Sequence, residues 1–246
     1  MIHHQTPVVQ VNGLCKTFGD HLAVNKLDLT VSSGEIVALL GPNGAGKTTS
    51  LHCILGFLRP DQGSVSVMGI NPVTDLAGAR AQLAYIPEQV ALYASLSGME
   101  NLHYMAKVGG SSQSKEELRA LFKDLDLAAD FIDKPVSGYS KGMRQKVGIA
   151  IALAKKASLL ILDEPTSGLD PSASYDFSQL IQSLAAKGTG ILLATHDLYR
   201  AQEDASRVVI IHQGEWVAEL CRDEIKQAQL EAVYLEKIRG ASLCSR

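Results

Sequence analysis

The densest chemical signal in the chain is eight consecutive residues, Gly41-Pro42-Asn43-Gly44-Ala45-Gly46-Lys47-Thr48. They satisfy G-x-x-x-x-G-K-[ST] at every fixed position. Glycines at these places let the backbone curl so that successive N–H groups point inward, a concavity that fits phosphate oxygens. Lys47 supplies a full positive charge for the outer phosphates. Thr48 offers a hydroxyl to Mg²⁺, and Thr49 a further polar contact. The order is that of a nucleoside triphosphate site.

A second signal lies far downstream. The apolar run Leu159–Leu162 ends in Asp163-Glu164. Carboxylates at the C-terminal edge of a parallel strand face the crevice where ligands bind. Asp163 is placed to hold Mg²⁺ through water. Glu164, beside it, is placed to polarise an attacking water as general base.

These groups need a scaffold that brings strand ends together. The run at 35–40, bounded by Gly34 and Gly41, reads as a buried strand, and Lys47–Leu58 as the helix after it, stopped by Pro60. Val8–Val11, Leu27–Val31, Ser64–Met68, Ala84–Ile86, Ile191–Ala194 and Val208–His212 read as further strands, with a helix over 74–84. Between 89 and 158 the texture turns helical, with a polar joint at 109–114 and an amphipathic helix over Lys115–Leu125. Strands alternating with helices predict an α/β fold with a mostly parallel sheet and crossover helices. The helical block reads as an insertion, and a last helix is expected over Asp223–Arg239.

Composition narrows the classes. The chain has 246 residues, 46% of them hydrophobic, and a net charge of −3 from 23 Lys+Arg against 26 Asp+Glu. That balance disfavours a nucleic-acid partner, which calls for a basic face. No apolar stretch approaches the roughly 18–20 residues that span a bilayer, and the first residues lack a signal-peptide pattern. The expected location is the cytoplasmic face of a membrane, held there through a partner. Cys15, Cys53, Cys221 and Cys244 are scattered, so reduced, unpaired thiols are expected.

With these motifs in place, the sequence resembles the ATP-binding subunits of ABC transporters over about residues 8–215. The resemblance adds elements in the family's order. Phe18 in KTFG matches the aromatic that stacks on adenine. Tyr139-Ser140-Lys141-Gly142-Met143 matches the signature motif, Ser167-Gly168-Leu169-Asp170 the aspartate loop, and His196 the switch histidine at the γ-phosphate. It implies a P-loop NTPase (RecA-like) core over about 1–88 and 159–215, with an N-terminal antiparallel β subdomain. The α-helical subdomain is inserted at about 89–158, and a helical tail follows at about 216–246. It also implies that Ser140 and Gly142 serve ATP held by an opposite subunit, so two such domains must pair. A homodimer is favoured over a heterodimer, with a separate transmembrane permease as the other partner.

Two departures stand out. Glu88 occupies the slot where the family carries glutamine, with Gln89 one place later, and is expected to reach Mg²⁺. Lys141 and Met143 replace a glycine and a glutamine of the signature, and Lys141 is expected to add positive charge near the partner's phosphates. Both departures are similar to those of ABC-2 type exporters. The segment 90–105, with aromatic and Met residues expected to be exposed, resembles the surface that receives the coupling helix of a membrane subunit. A soluble ATPase of the same family acting on ribosomes or DNA is the alternative. Such proteins usually carry fused nucleotide domains, a long coiled coil or zinc motifs, which this chain lacks.

Overall fold

The computed structural model describes residues 7–227 and 230–244. Two long strands open the chain, β1 (Pro7–Phe18) and β2 (His21–Ser32), paired antiparallel through the Gly19-Asp20 turn. Then come β3 (Ile36–Leu40), helix α1 (Lys47–Ile54), β4 (Gln62–Val67), α2 (Leu76–Gln82) and β5 (Leu83–Ile86). The insertion holds α3 (Gly98–Val108), α4 (Lys115–Asp124), α5 (Ala129–Ile132), a 3-10 turn at Val136–Gly138 and α6 (Lys141–Ala154). The core resumes with β6 (Leu159–Asp163), α7 (Pro171–Ala186), β7 (Gly190–Thr195), α8 (Leu198–Asp204), β8 (Arg207–His212) and β9 (Glu215–Cys221). It ends in α9 (Arg222–Gln227) and α10 (Leu230–Cys244).

The strands form one sheet in the order β4-β1-β2-β9-β8-β3-β7-β6-β5. The half from β8 to β5 is parallel, and β4-β1-β2 is antiparallel. The parallel strands are buried on both faces, as crossover helices require. In β6 the alternation is visible: Leu159 and Ile161 join the cluster around Leu51 and Ile54 of α1. Leu160 and Leu162 face the other way, into the cluster that holds Phe122 of α4 and Val147 and Ile149 of α6. Each such side chain contributes about 1.5–3 kcal/mol by leaving water, so β6, which ends in Asp163, is anchored from both sides.

The first two helices of the insertion begin at strong local signals. Ser97 and Glu100 form a reciprocal capping box at α3, and Ser114 and Glu117 form another at α4.

The structure corrects three expectations. First, α1 stops at Ile54 rather than Leu58, because Gly56 takes a left-handed φ of 67°. A Cβ there would also stand 2.5 Å from Leu76 Cδ1. Second, the sheet continues past residue 215: β9 pairs antiparallel with β8. Only Ala218 of β9 is buried, so its apolar alternation is weak in sequence. Third, the tail carries two helices where one was expected. Ile225 and Leu230 are buried against Ala201, Val208 and Ile210.

Candidate functional site

The loop 41–46 leaves the C-terminal end of β3 and feeds α1. Two of its glycines are required by close approach. A Cβ on Gly46, whose φ is 100°, would stand 2.4 Å from the Ala23 carbonyl oxygen. On Gly41 it would stand 2.4 Å from the Ile211 carbonyl oxygen. The loop is braced from behind by the turn between β8 and β9. The Gly214 N–H donates to the Ala45 carbonyl at 3.0 Å, and the Asn25 N–H donates to the Gly214 carbonyl at 2.8 Å. Gly46 caps α1 without a side-chain hydrogen bond, and no acid lies in the first turn. The helix's first N–H groups are thus left for an anion.

A cleft of ≈ 340 Å³ opens over this loop, lined by Asn43, Gly44, Gly46, Lys47, Thr48 and Thr49, and by Phe18, His21, Ala23, Glu88, Asp163 and Glu164. Lys47 is buried. Its ammonium donates to the carbonyls of Gly41 at 2.7 Å and Pro42 at 3.2 Å, and lies 3.5 Å from Glu164 Oε1. The Thr48 hydroxyl donates to Asp163 Oδ2 at 3.2 Å, and the Tyr85 hydroxyl lies 3.5 Å from the same oxygen. Burial pushes the Asp163 carboxyl above the ordinary aspartate value, opposed by the Thr48 hydrogen bond and reinforced by the charge of Glu164. Burial, with Asp163 beside it, pushes the Tyr85 phenol up to about 12.

Glu164 sits in a left-handed conformation, φ 47°, costly for a residue with a side chain and frequent at ligand clamps. Its N–H is held by the Ala194 carbonyl at 2.9 Å. Oε2 accepts from the Thr195 hydroxyl at 3.2 Å. His196 Nδ1 stands 2.8 Å from Oε1, close in distance but not aligned as a hydrogen bond. The imidazole of His196 is half exposed. Asp197, next in the chain, caps α8 by accepting from the Arg200 N–H at 3.1 Å.

Glu88 lines the cleft, and Gln89 does not. Glu88 Oε1 accepts from the Ser167 hydroxyl at 3.0 Å. Ser140 caps α6 by accepting from the Met143 N–H at 3.2 Å. Ser140 and Gly142 line a separate depression with Leu169 and Asp176. Asp170 caps α7, accepting from the Ala173 N–H at 3.0 Å ahead of Pro171. The structure thus gathers Phe18, the phosphate loop, Glu88, Asp163 and Glu164 in one cleft. Ser140, Gly142 and Asp170 lie outside it.

Sequence reasoning missed His21, Ala23, Tyr85, Thr195 and Gln145. The Gly19-Asp20 turn signals that His21 pairs back to Phe18. Buried Gln145 of α6 donates to the Pro165 carbonyl, which follows Glu164 directly. Nothing local in the sequence marks that contact. A larger open cavity of ≈ 550 Å³ lies in the insertion, lined by Ser97, Glu100, His103, Lys115, Arg119 and Asp133 among others. Arg119 and Asp133 there pair with each other, and no phosphate-loop feature borders it.

The cleft sets three carboxylates, Glu88, Asp163 and Glu164, against Lys47. A polyphosphate would meet a net repulsive wall unless a divalent cation came with it. The donors that converge at Thr48 and Asp163 are oxygens, the set Mg²⁺ prefers. Among the described residues no three His, Cys, Asp or Glu side chains form a complete metal cage. Mg²⁺ usually keeps several waters and substrate phosphates as ligands, so the residues fit it.

A phosphate loop on a parallel sheet, with an acid pair on the neighbouring strand end, defines a P-loop nucleoside triphosphatase. Comparison narrows the class. The family described as ABC transporter matches residues 24–167. The chain is 38% identical over 228 residues to the uncharacterised ABC transporter ATP-binding protein YdbJ of Bacillus subtilis, covering 92% of this chain and 73% of that protein. It is 36% identical over 220 residues to the daunorubicin resistance ATP-binding protein DrrA3 of Streptomyces coeruleorubidus, covering 89% and 69%. A solved ATP-binding subunit of an ABC transporter superposes with a TM-score of 0.82 at 33% identity, covering 93% of this chain and 98% of that one. The chain belongs to the ABC transporter ATP-binding proteins, a family of ATPases.

Proposed function

We propose that this subunit hydrolyses ATP between two paired copies of its fold and so drives a separate membrane permease, in export. The observation that carries the reading is the meeting of Lys47, Thr195 and His196 around the Glu164 carboxylate beside the phosphate loop. Lys47 and the N–H groups of 41–48 hold the phosphates, and Phe18 stacks on the base. Thr48, Asp163 and Glu88 would hold Mg²⁺, which supplies charge neutralisation to the transferring phosphoryl group. Glu164 accepts the proton of the attacking water, and His196 donates toward the γ-phosphate. Positioning and charge carry most of phosphoryl transfer, and this chain's groups contribute to both.

Pairing is supported by the placement of Ser140 and Gly142 outside this chain's own cleft. They and the Asp170 loop are taken to complete the site of a second copy. Export follows a further relative, the Nod factor export ATP-binding protein I of Sinorhizobium fredii, 36% identical over 213 residues. No helix among the described residues is long and apolar enough to cross a membrane; the permease is taken to be a separate chain. Its docking face is assigned to Tyr93 and Tyr104, exposed and packed edge to face at 5.3 Å. Met99, expected at that surface, is buried in the insertion with Leu102.

Glu164→Gln keeps the shape and removes the base. This variant should bind ATP, collect as a closed dimer and lose nearly all turnover. Turnover at the parental rate would remove Glu164 from the mechanism. Pull-down of tagged Glu164→Gln with ATP from gently solubilised membranes should recover a multi-span protein. Recovery of ribosomes or DNA factors instead would overturn the transporter reading.

A further inference from the structure

The two departures from the family's pattern meet each other in space. Lys141 Nζ lies 3.7 Å from Glu88 Oε1 and donates to the Ser167 carbonyl at 2.5 Å. The Ser167 hydroxyl donates to the same Glu88 oxygen at 3.0 Å. Three segments that bear separate motifs, at 88, at 141 and at 167, are thus tied at one point. The ammonium also stands 4.0 Å from where a Cβ on Gly168 would lie.

Neither charge is well placed without the other. Lys141 is the first residue of α6, where the helix dipole opposes a cation, and no acid in that turn relieves it. Glu88 adds a third carboxylate to a cleft that already holds Asp163 and Glu164. A glutamine at 88 would need no counter-charge, and a glycine at 141 would supply none.

We propose that Lys141 is a positioning residue for Glu88: it is the counter-charge, within the same protomer, that lets an acid serve in the glutamine's slot. The lysine sets the direction of the carboxylate and ties the start of the signature helix to the loop before Asp170. This gives Lys141 a role on its own protomer, beside the positive charge it is expected to add near a partner's phosphates. The pair is part-exposed, 31% for the lysine and 51% for the acid. It is therefore a contact that can be exchanged when the cleft fills, rather than a rigid brace. The inference rests on the proposed function.

The test is a double-mutant cycle in the Glu164→Gln background, reading the ATP concentration that gives half-maximal dimer by light scattering. Lys141→Met keeps the stem and removes the charge. It should raise that concentration about fivefold, the scale of a part-exposed pair, and Lys141→Arg should restore most of the loss. Glu88→Gln, the family's residue, should rescue Lys141→Met to within about twofold of the parent. Losses that simply multiply in the double variant would overturn the pairing, as would a Lys141→Met with parental behaviour. Should Lys141→Met fold poorly, the same cycle run with Lys141→Gln decides by the same criterion. A parent that stays monomeric in saturating ATP would instead overturn the paired-subunit reading, and the role of Lys141 with it.

Discussion

At the scale of single residues, the site depends on side chains that hold other side chains. Thr195 is buried, donates to Glu164 Oε2 and accepts the Asp197 N–H at 3.0 Å. Thr195→Val should leave the KM for ATP within about twofold and lower kcat about tenfold, a part of what a well-placed general base provides. Steady-state ATPase measurements check this. An unchanged kcat would mean that the backbone of Glu164 orients it alone.

Asp204 offers a second residue-scale prediction. It is buried beside Ser178, whose hydroxyl donates to it at 2.9 Å. Burial pushes its carboxyl above the ordinary value, and that hydrogen bond opposes the shift. The folded protein therefore keeps the proton to higher pH than the unfolded chain. The stability this gives is complete below the ordinary aspartate range and is lost as pH rises through the folded value. Asp204→Asn should gain stability relative to the parent as pH rises through that window, followed by urea unfolding. A constant difference would show that Ser178 and Arg200 fully compensate the carboxylate. The motif residues were legible because their spacing is local. Tyr85, Thr195 and the Glu88–Lys141 contact were not, because each arises where distant segments cross.

At the scale of elements, sequence signals worked where a start or stop is written in one residue type. Ser114-Lys115-Glu116-Glu117 announces α4, and the capping box is present with the Ser114 N–H bound to Glu117 Oε2 at 2.7 Å. Ser114→Ala should cost about 1 kcal/mol in urea unfolding. A loss near zero would mean that packing of Leu118 and Phe122 alone fixes the start of α4. Signals failed where two stops compete. Pro60 reads as the end of α1, yet Gly56 ends it earlier, because only glycine can approach Pro72 and Leu76 there. β9 escaped notice because a strand with one buried residue has little alternation to read.

At the scale of the whole molecule, two clusters face opposite sides of the sheet and a third gathers the tail. Ile225 is fully buried in that third cluster, so Ile225→Ala should destabilise by about 2–4 kcal/mol. Thermal unfolding measures it, and a loss below about 1 kcal/mol, under the range for a core isoleucine truncated to alanine, would show that α9 is only loosely applied. The parallel architecture was legible from alternating strands and helices. Which strands neighbour which was not, because strand order is decided by pairings across the whole length.

That arrangement has a consequence for synthesis. The phosphate loop is made more than 140 residues before its neighbours β7 and β8 and its brace at Gly214. A nascent chain that ends before Gly214 has every loop residue that touches phosphate but lacks the Gly214 N–H that braces the Ala45 carbonyl. The nucleotide site is thus expected to form only once the turn at Gly214 has been made, and a chain truncated before that turn should hold ATP more weakly than one that includes it.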